Sequence, residues 1–421
     1  MTTELKRNNL IIADGQYYSM NCHETQLNNN VLVVGAAGSG KTRSIVSPNI
    51  LQAFGSYVIT DPKGQLYKKY GNYLKSRGYT VKVLDLTSPE KSSKYNPFAY
   101  IKSEKDVIKL AHMIMDCSNL EEFSRKDPFW EESAEVLLTA LIAYLWKHSR
   151  KEDNVFHSVF KLINACEVVE ENADVPTTLD RIFKEVEKRH KDDFAVAQYN
   201  KFRIGAGRTL RSILISLNSR LGRYDYPEFR KMTSADEIDL GSIGCKKTAV
   251  FVNISDRDRS MDGFANIFYS QAMDELCRVA DEKYKDGCLP VPVQFILDDF
   301  ATNCKITDFP RMISSIRSRR ISTMLMLQCE SQLTHCYGAD GRTIMGNCDT
   351  YVYLGGNDLE TAGAIATRCD VPIGKILYMP VGTNWIFRRG QQPVNGKNFE
   401  LEPFEEKMLV KPLKGYMEKT A

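Results

Sequence analysis

Residues Val31 to Thr42 read VLVVGAAGSGKT. The apolar run Val31 to Val34 suits a buried strand, and the residues behind it match G-x-x-x-x-G-K-T through Gly35, Gly40, Lys41 and Thr42. A turn built from Gly35, Ala36, Ala37, Gly38, Ser39 and Gly40 folds tightly enough for successive N–H groups to surround phosphate oxygens. Lys41 then reaches the β- and γ-phosphates and the Thr42 hydroxyl ligates Mg²⁺. The helix opening at Arg43 and running to Phe54 adds its N-terminal dipole to the same anion. This pattern predicts ATP with Mg²⁺ as the ligand and residues Gly35 to Arg43 as its cradle.

The flanking sequence extends the strand–helix rhythm. Tyr57 to Thr60 reads as a second buried strand ending at Asp61-Pro62-Lys63-Gly64, followed by a helix from Gln65 to Arg77 and a third strand from Val81 to Leu86. That alternation means right-handed crossovers and a parallel sheet, with ligands off the carboxyl ends of the strands. Asp61 and Lys63 therefore fall near the phosphate loop by topology, or in a surface turn. Upstream, Leu10 to Ala13 and the Asp14-Gly15 turn suggest one or two edge strands. The rhythm returns at Thr248 to Ser255, with a helix from Phe264 to Lys283 and then VQFILDDF, Val293 to Phe300. A carboxylate closing a buried strand next to the phosphate-loop strand suits Mg²⁺, which assigns Asp298 to the metal. The next carboxylate, Asp299, suits a water-orienting base. Beyond these, a helix over Phe309 to Arg319, strands at Ile321 to Gln328 and Thr350 to Gly355, a helix starting near Asp358, an edge strand at Asn384 to Arg389 and a frayed Lys-rich tail are expected.

Between the two α/β stretches the periodicity is helical. Trp130 to His148 carries apolar residues at i, i+3, i+4 and i+7, with Asp127-Pro128 as its start. Further helices are expected around Val155 to Glu170, Thr177 to Asp192 and Phe194 to Leu221. The reading is an α/β nucleotide-binding domain in two parts, residues 1–98 and 241–421, interrupted by an all-α domain, residues 99–240. Lys201, Arg203, Arg208, Arg211, Arg220 and Arg223 make one locally basic run. It is either a solvated helix face or a contact surface for a phosphate backbone or a neighbouring subunit.

Bulk properties set outer limits. A chain of 421 residues suits two domains. A net charge of +3 argues for no general affinity for nucleic acid, so any DNA contact is local. The 11 cysteines show no C-x-x-C pair and no zinc spacing, which predicts free, buried thiols in a reducing cytosol. The polar N-terminus is not a signal peptide, and no apolar run is long enough to span a bilayer.

Taken together, GAAGSGKTRSIVSPNI, VITDPKGQLY, YNPFAYI, DPFWEESAEVLLTALIAYL, FILDDFA, ISTMLMLQCESQL and GNCDTYVYLG resemble, in order, the cytoplasmic ATPase of type IV secretion coupling proteins, the TraG/TraD-type conjugation family. The resemblance implies a RecA-like domain interrupted by an all-α domain. It implies ring hexamers that hydrolyse ATP at subunit interfaces and pump DNA, single-stranded and bound to its relaxase, into a secretion channel at the inner face of the cell membrane. It also implies Arg317 as an arginine finger acting on a neighbour's ATP, with Arg319 and Arg320 as rivals, and Gln328 as a γ-phosphate sensor. Asp299 stands where the family usually carries glutamate, which predicts slow turnover. The family's N-terminal membrane helices have no counterpart here, which fits a soluble truncation or an anchorless member, monomeric until DNA or an anchor concentrates it. A substrate-recruiting module with little hydrolysis, a helicase or packaging motor and a protein exporter are the alternative readings.

Overall fold

The computed structural model describes residues 8–117, 128–166, 175–205, 207–300 and 305–410. Asp127, residues 167–170 and the tail from 411 lie outside the described residues. The chain divides into two compact units. One comprises Met1–Val83, Leu240–Asp256 and Met273–Ala421, and the other Leu84–Asp239 and Arg257–Ala272.

The strands are β1 (Asn9–Ala13), β2 (Gln16–Ser19), β3 (Val31–Val34), β4 (Ser56–Thr60), β5 (Thr80–Asp85), β6 (Thr248–Asn253), β7 (Val293–Leu297), β8 (Ile321–Leu327), β9 (Thr350–Tyr353), β10 (Thr383–Arg388) and β11 (Val394–Lys397). Nine of them form one sheet in the order β11-β10-β9-β3-β8-β7-β4-β6-β5. The pairs from β9 through β3, β8, β7 and β4 to β6 are parallel, and β10 pairs antiparallel with both β9 and β11. The fold is therefore α/β with a mainly parallel central sheet. VLVV of β3 and ISTMLML of β8 are buried along their whole length, because helices cover both faces of a parallel sheet and leave no position for a polar residue.

The helices over one face close the core. Ile45, Ile50 and Leu51 pack with Val31, Val33, Met324, Met326, Tyr70 and Leu74. Burial of each such aliphatic side chain is worth about 1.5–3 kcal/mol. The helix expected over Arg43 to Phe54 begins instead as a wide turn, Thr42–Val46, in which Ser47 N–H bonds Thr42 O, before the α-helix Ser47–Leu51. Pro48 is the cause, since it has no N–H to return to Ser44 O and its ring crowds that carbonyl. Asn49, buried in this helix, donates to Ile11 O at 2.7 Å and accepts from Ile11 N–H at 3.0 Å. One amide thus stands in for a neighbouring strand beside β1.

Two expected edges differ. β1 and β2 pair with each other as a separate antiparallel ribbon rather than edging the main sheet. β10 is not the edge, because β11 pairs outside it after a turn at Gly390.

The second unit, among its described residues, is helical. Thr177 and Asp180 form a capping box at helix Thr178–Arg189, and Phe183 stacks on Tyr199 at 4.0 Å. Phe156, Tyr224, Phe229 and Phe264 form its aromatic core. The single helix expected over Phe194 to Leu221 is two, Phe194–Arg203 and Gly207–Leu221. In the basic run, Arg203 is bonded to Asp180 at 2.9 Å and Arg220 to Glu131 at 2.5 Å, so these two serve the unit's own packing.

The Asn49 contact generates a prediction. Asn49→Ala strands the N–H and C=O of Ile11 in the core, so unfolding free energy in urea falls by about 2–4 kcal/mol and amide exchange at Ile11 accelerates. A change within about 0.5 kcal/mol, the range of an inert surface substitution, would rule out this role.

Candidate functional site

The phosphate loop lies between β3 and the Thr42–Val46 turn. Gly35 is required by contact: a Cβ there would come within 2.5 Å of Ser39 Oγ and 2.9 Å of Leu354 Cβ. Gly40 is required by conformation, with φ at +93°. The loop's first donors are committed, Gly35 N–H to Leu327 O at 3.0 Å, Ala36 N–H to Gly355 O at 2.9 Å and Ser39 N–H to Ala36 O at 3.1 Å. Among the described residues no acceptor meets the N–H of Ala37, Gly38 or Gly40, and Ser39 Oγ is buried without a partner. Orphan donors on a turn of this shape suit an anion with several oxygens.

Lys41 is only 9% exposed, and its Nζ donates to Gly35 O at 2.6 Å and Ala36 O at 3.2 Å. Burial lowers its pKa, against the pull of Asp298 and Asp299. Thr42 Oγ1 donates to Asp298 Oδ2 at 3.0 Å. Burial, then the neighbouring Asp299 charge, raises the Asp298 pKa, with the Thr42 hydroxyl and Lys41 opposing. Asp299 donates its N–H to Asp298 Oδ1 at 3.1 Å and has a left-handed φ of +50°. The donor set on offer is hard oxygen, one hydroxyl and two carboxylates. Mg²⁺ is typically bound through few protein ligands of this kind. Among the described residues no cluster of His, Cys, Asp and Glu suits another metal, and no described cysteine is disulfide-bonded. Only Cys166 of these is buried, so the thiols are mostly half-exposed rather than in the core.

The strand ending in Asp298 is not next to the phosphate-loop strand, as the sequence suggests. β8 lies between them. Its carboxyl end carries Gln328, which is exposed and whose N–H bonds Gln332 Oε1 at 2.7 Å. The adjacent Leu327 O is the acceptor of Gly35 N–H, so Gln328 shares the loop's edge of the sheet.

Arg317 is at the other edge. It sits in the turn Arg317–Arg319 ahead of β8 and donates to Cys22 O at 3.3 Å. The seven residues of β8 at about 3.3 Å each put it roughly 23 Å from the loop's edge. Arg319 is held by Asp281 through two bonds of 2.8 Å, and Arg320 reaches Leu289 O at 3.4 Å.

Asp61 is neither at the phosphate loop nor in a surface turn. It is 2% exposed and accepts from Leu66 N–H and Tyr67 N–H at 3.1 and 2.8 Å, capping helix Gln65–Ser76. Lys63 is exposed and pairs with Asp256 at 3.7 Å. Arg43 pairs with Glu402 at 2.5 Å. Glu402 and Asn398, whose Nδ2 is 3.5 Å from Ser39 O, adjoin the loop from more than 350 residues away. No sequence spacing signals either.

Comparison with known proteins gives a consistent answer. The sequence profile of type IV secretory system conjugative DNA transfer proteins matches residues 3–370. No match emerges among curated protein sequences. A structure of the bacterial conjugative coupling protein TrwBdeltaN70 in complex with sulphate matches with a TM-score of 0.68 at 15% identity, covering 95% of this chain and 91% of that one. TrwB in complex with ADP and Mg²⁺ matches at 0.66 and 15%, covering 95% and 91%. VirB4 of Thermoanaerobacter pseudethanolicus matches at 0.58 and 13%, covering 96% and 99%. At these identities the likeness is one of fold. Among the described residues no helix is long and apolar enough to cross a membrane.

The reassignment of Asp61 is testable. Asp61→Ala removes the cap and lowers stability by about 1–2 kcal/mol, while affinity for ADP with Mg²⁺, measured by calorimetry, stays unchanged. A selective loss of affinity would return Asp61 to the site.

Proposed function

The chain belongs to the type IV secretory system conjugative DNA transfer family, and from that premise we propose that it is an ATP-hydrolysing motor that moves DNA into a secretion channel. The observation that carries this reading is the bond from Thr42 Oγ1 to Asp298 Oδ2, which unites the phosphate loop with a carboxylate 256 residues away. TrwB structures containing a non-hydrolysable ATP analogue and ADP with Mg²⁺ support the choice of ligand.

Each residue then has a task. The N–H groups of Ala37, Gly38 and Gly40 receive phosphate oxygens, and Lys41, already held over the loop, neutralises the β- and γ-phosphates. Thr42 and Asp298 would hold Mg²⁺. ATP supplies the transferable phosphoryl group and Mg²⁺ offsets its charge. Asp299 orients the attacking water and accepts its proton. Gln328 senses the γ-phosphate from the neighbouring strand end. Asp299 is one methylene shorter than glutamate, and a misplacement of about 1 Å costs roughly 10²-fold in rate.

Arg317 serves a neighbouring copy. Its own subunit keeps it at the far edge of the sheet, while Arg319 is engaged by Asp281. A ring, hexameric as the family resemblance implies, provides the trans contact and a passage for single-stranded DNA. Relaxase, relaxosome proteins and channel components are its partners at the inner face of the membrane.

The test is the ATPase rate per subunit against protein concentration, with and without single-stranded DNA. The rate should rise with concentration and with DNA. Lys41→Ala should abolish it, and Arg317→Ala should lower it by roughly 10³–10⁵, the usual contribution of such a finger. A mixture of the two variants should recover activity, since each supplies what the other lacks. Nucleotide binding without Lys41-dependent turnover in any condition would reduce the protein to a recruiting module.

A further inference from the structure

The turn after β11 brings a side chain to the phosphate loop that the functional reading leaves without a role. Asn398 Nδ2 is 3.5 Å from Ser39 O and 3.7 Å from the point a Cβ on Gly40 would occupy. Its orientation is set from behind. Asn384, fully buried on β10, donates its Nδ2 to Asn398 Oδ1 at 3.0 Å. Asn395 Nδ2 donates to Asn384 O at 3.2 Å, and the Asn398 N–H is fixed to Gly382 O at 2.8 Å. With its oxygen taken by Asn384, the Asn398 amide presents its N–H₂ group to the loop.

We propose that Asn398, aimed by Asn384, is a positioning residue that presents the Gly40 N–H to phosphate. The inference rests on the phosphate-loop reading above. The physical step is peptide planarity. In a trans peptide the C=O and the following N–H point in opposite directions. A donor that draws Ser39 O outward therefore turns the Gly40 N–H inward. Gly40 has the positive φ this peptide orientation requires, and no acceptor among the described residues meets its N–H. The 3.5 Å separation is that of a long bond, and such bonds tighten when the ligand arrives. A charged phosphate on the Gly40 N–H polarises the Ser39–Gly40 peptide and strengthens its oxygen as an acceptor, so the two bonds reinforce each other.

Asn398→Asp keeps the size and removes the donor, and Asn398→Ala removes the amide. The expected result, by calorimetry with ADP and Mg²⁺ on the full chain, is about tenfold weaker binding for Asn398→Ala, the size of one lost hydrogen bond, and at least that for Asn398→Asp, whose charge also opposes the phosphates. The melting temperature of Asn398→Asp without nucleotide should stay near the wild-type value, since its carboxylate still accepts from Asn384, while the stabilisation by ADP shrinks, which a purely structural role would not produce. Gln392→Ala, exposed on the same hairpin, should bind ADP like the wild type. If Lys41→Ala weakens binding and both Asn398 variants stay within about twofold of the wild type, well below one hydrogen bond, the inference is wrong and the loop reading stands. If Lys41→Ala also binds like the wild type, the loop reading fails and this inference with it.

Discussion

The Thr42 hydroxyl and the Asp298 carboxylate meet at 3.0 Å because three strands end nearly level. Val34 pairs with Leu327, and Leu297 pairs with Leu325. β7 therefore stops two positions short of β3 along their common neighbour β8. Asp298 and Asp299 extend across that gap to the rim where the phosphate loop begins. A change of register by one residue would turn the β7 side chains to the opposite face. The register of β8 with both partners thus fixes the site as firmly as the loop's own glycines do. Every other feature of the site hangs on this alignment, including the crowding of Lys41 with two carboxylates.

That crowding has a sign. Lys41 is disfavoured as a cation by burial, and Asp298 is disfavoured as an anion by burial and by Asp299. Their mutual attraction only partly offsets this, and the count leaves one negative charge over. A site left in this condition is suited to a divalent cation escorted by polyphosphate, since the pair satisfies the surplus carboxylate and the loop donors together. Charges positioned before the ligand arrives need no rearrangement afterwards, which is where electrostatic assistance to phosphoryl transfer originates. The same sheet separates the turn Arg317–Arg319 ahead of β8 from the loop behind it, so Arg317 lies a strand's length from the phosphate loop of its own subunit.

Much of this was legible in the sequence because it is written locally. A glycine-rich turn between an apolar run and a helix, and an apolar run closed by Asp298-Asp299, each report their own chemistry within a few residues. The order of strands is not local. β8 enters between β3 and β7 because of how crossovers fold, and nothing in FILDD says which strand lies beside it. Asp61 departs from its expected place for a related reason. It does end a parallel strand, but Leu66 and Tyr67 lie at helix-capping distance from it, and the helix start claims a carboxylate in preference to a ligand three strands away. Pro48 does not by itself announce the Thr42–Val46 turn, since a proline near a helix start is usually harmless and here falls one turn too late to be so. β11 hides in VNGK, which has too few apolar residues to announce a strand.

Two of the remaining unread residues share one property: they are amides that bond to backbone from far along the chain. Asn49 holds the helix behind the loop to β1, and Asn398, steadied by Asn384, touches the loop from the other side. An asparagine offers a donor and an acceptor without charge. It can therefore splint a polar backbone inside an apolar region without disturbing the balance among Lys41, Asp298 and Asp299. A lysine or an aspartate in either place would lose one of those two roles and alter the field at the phosphates. The phosphate loop is thus shaped by neutral side chains and charged by its own residues, and only the second set leaves a motif.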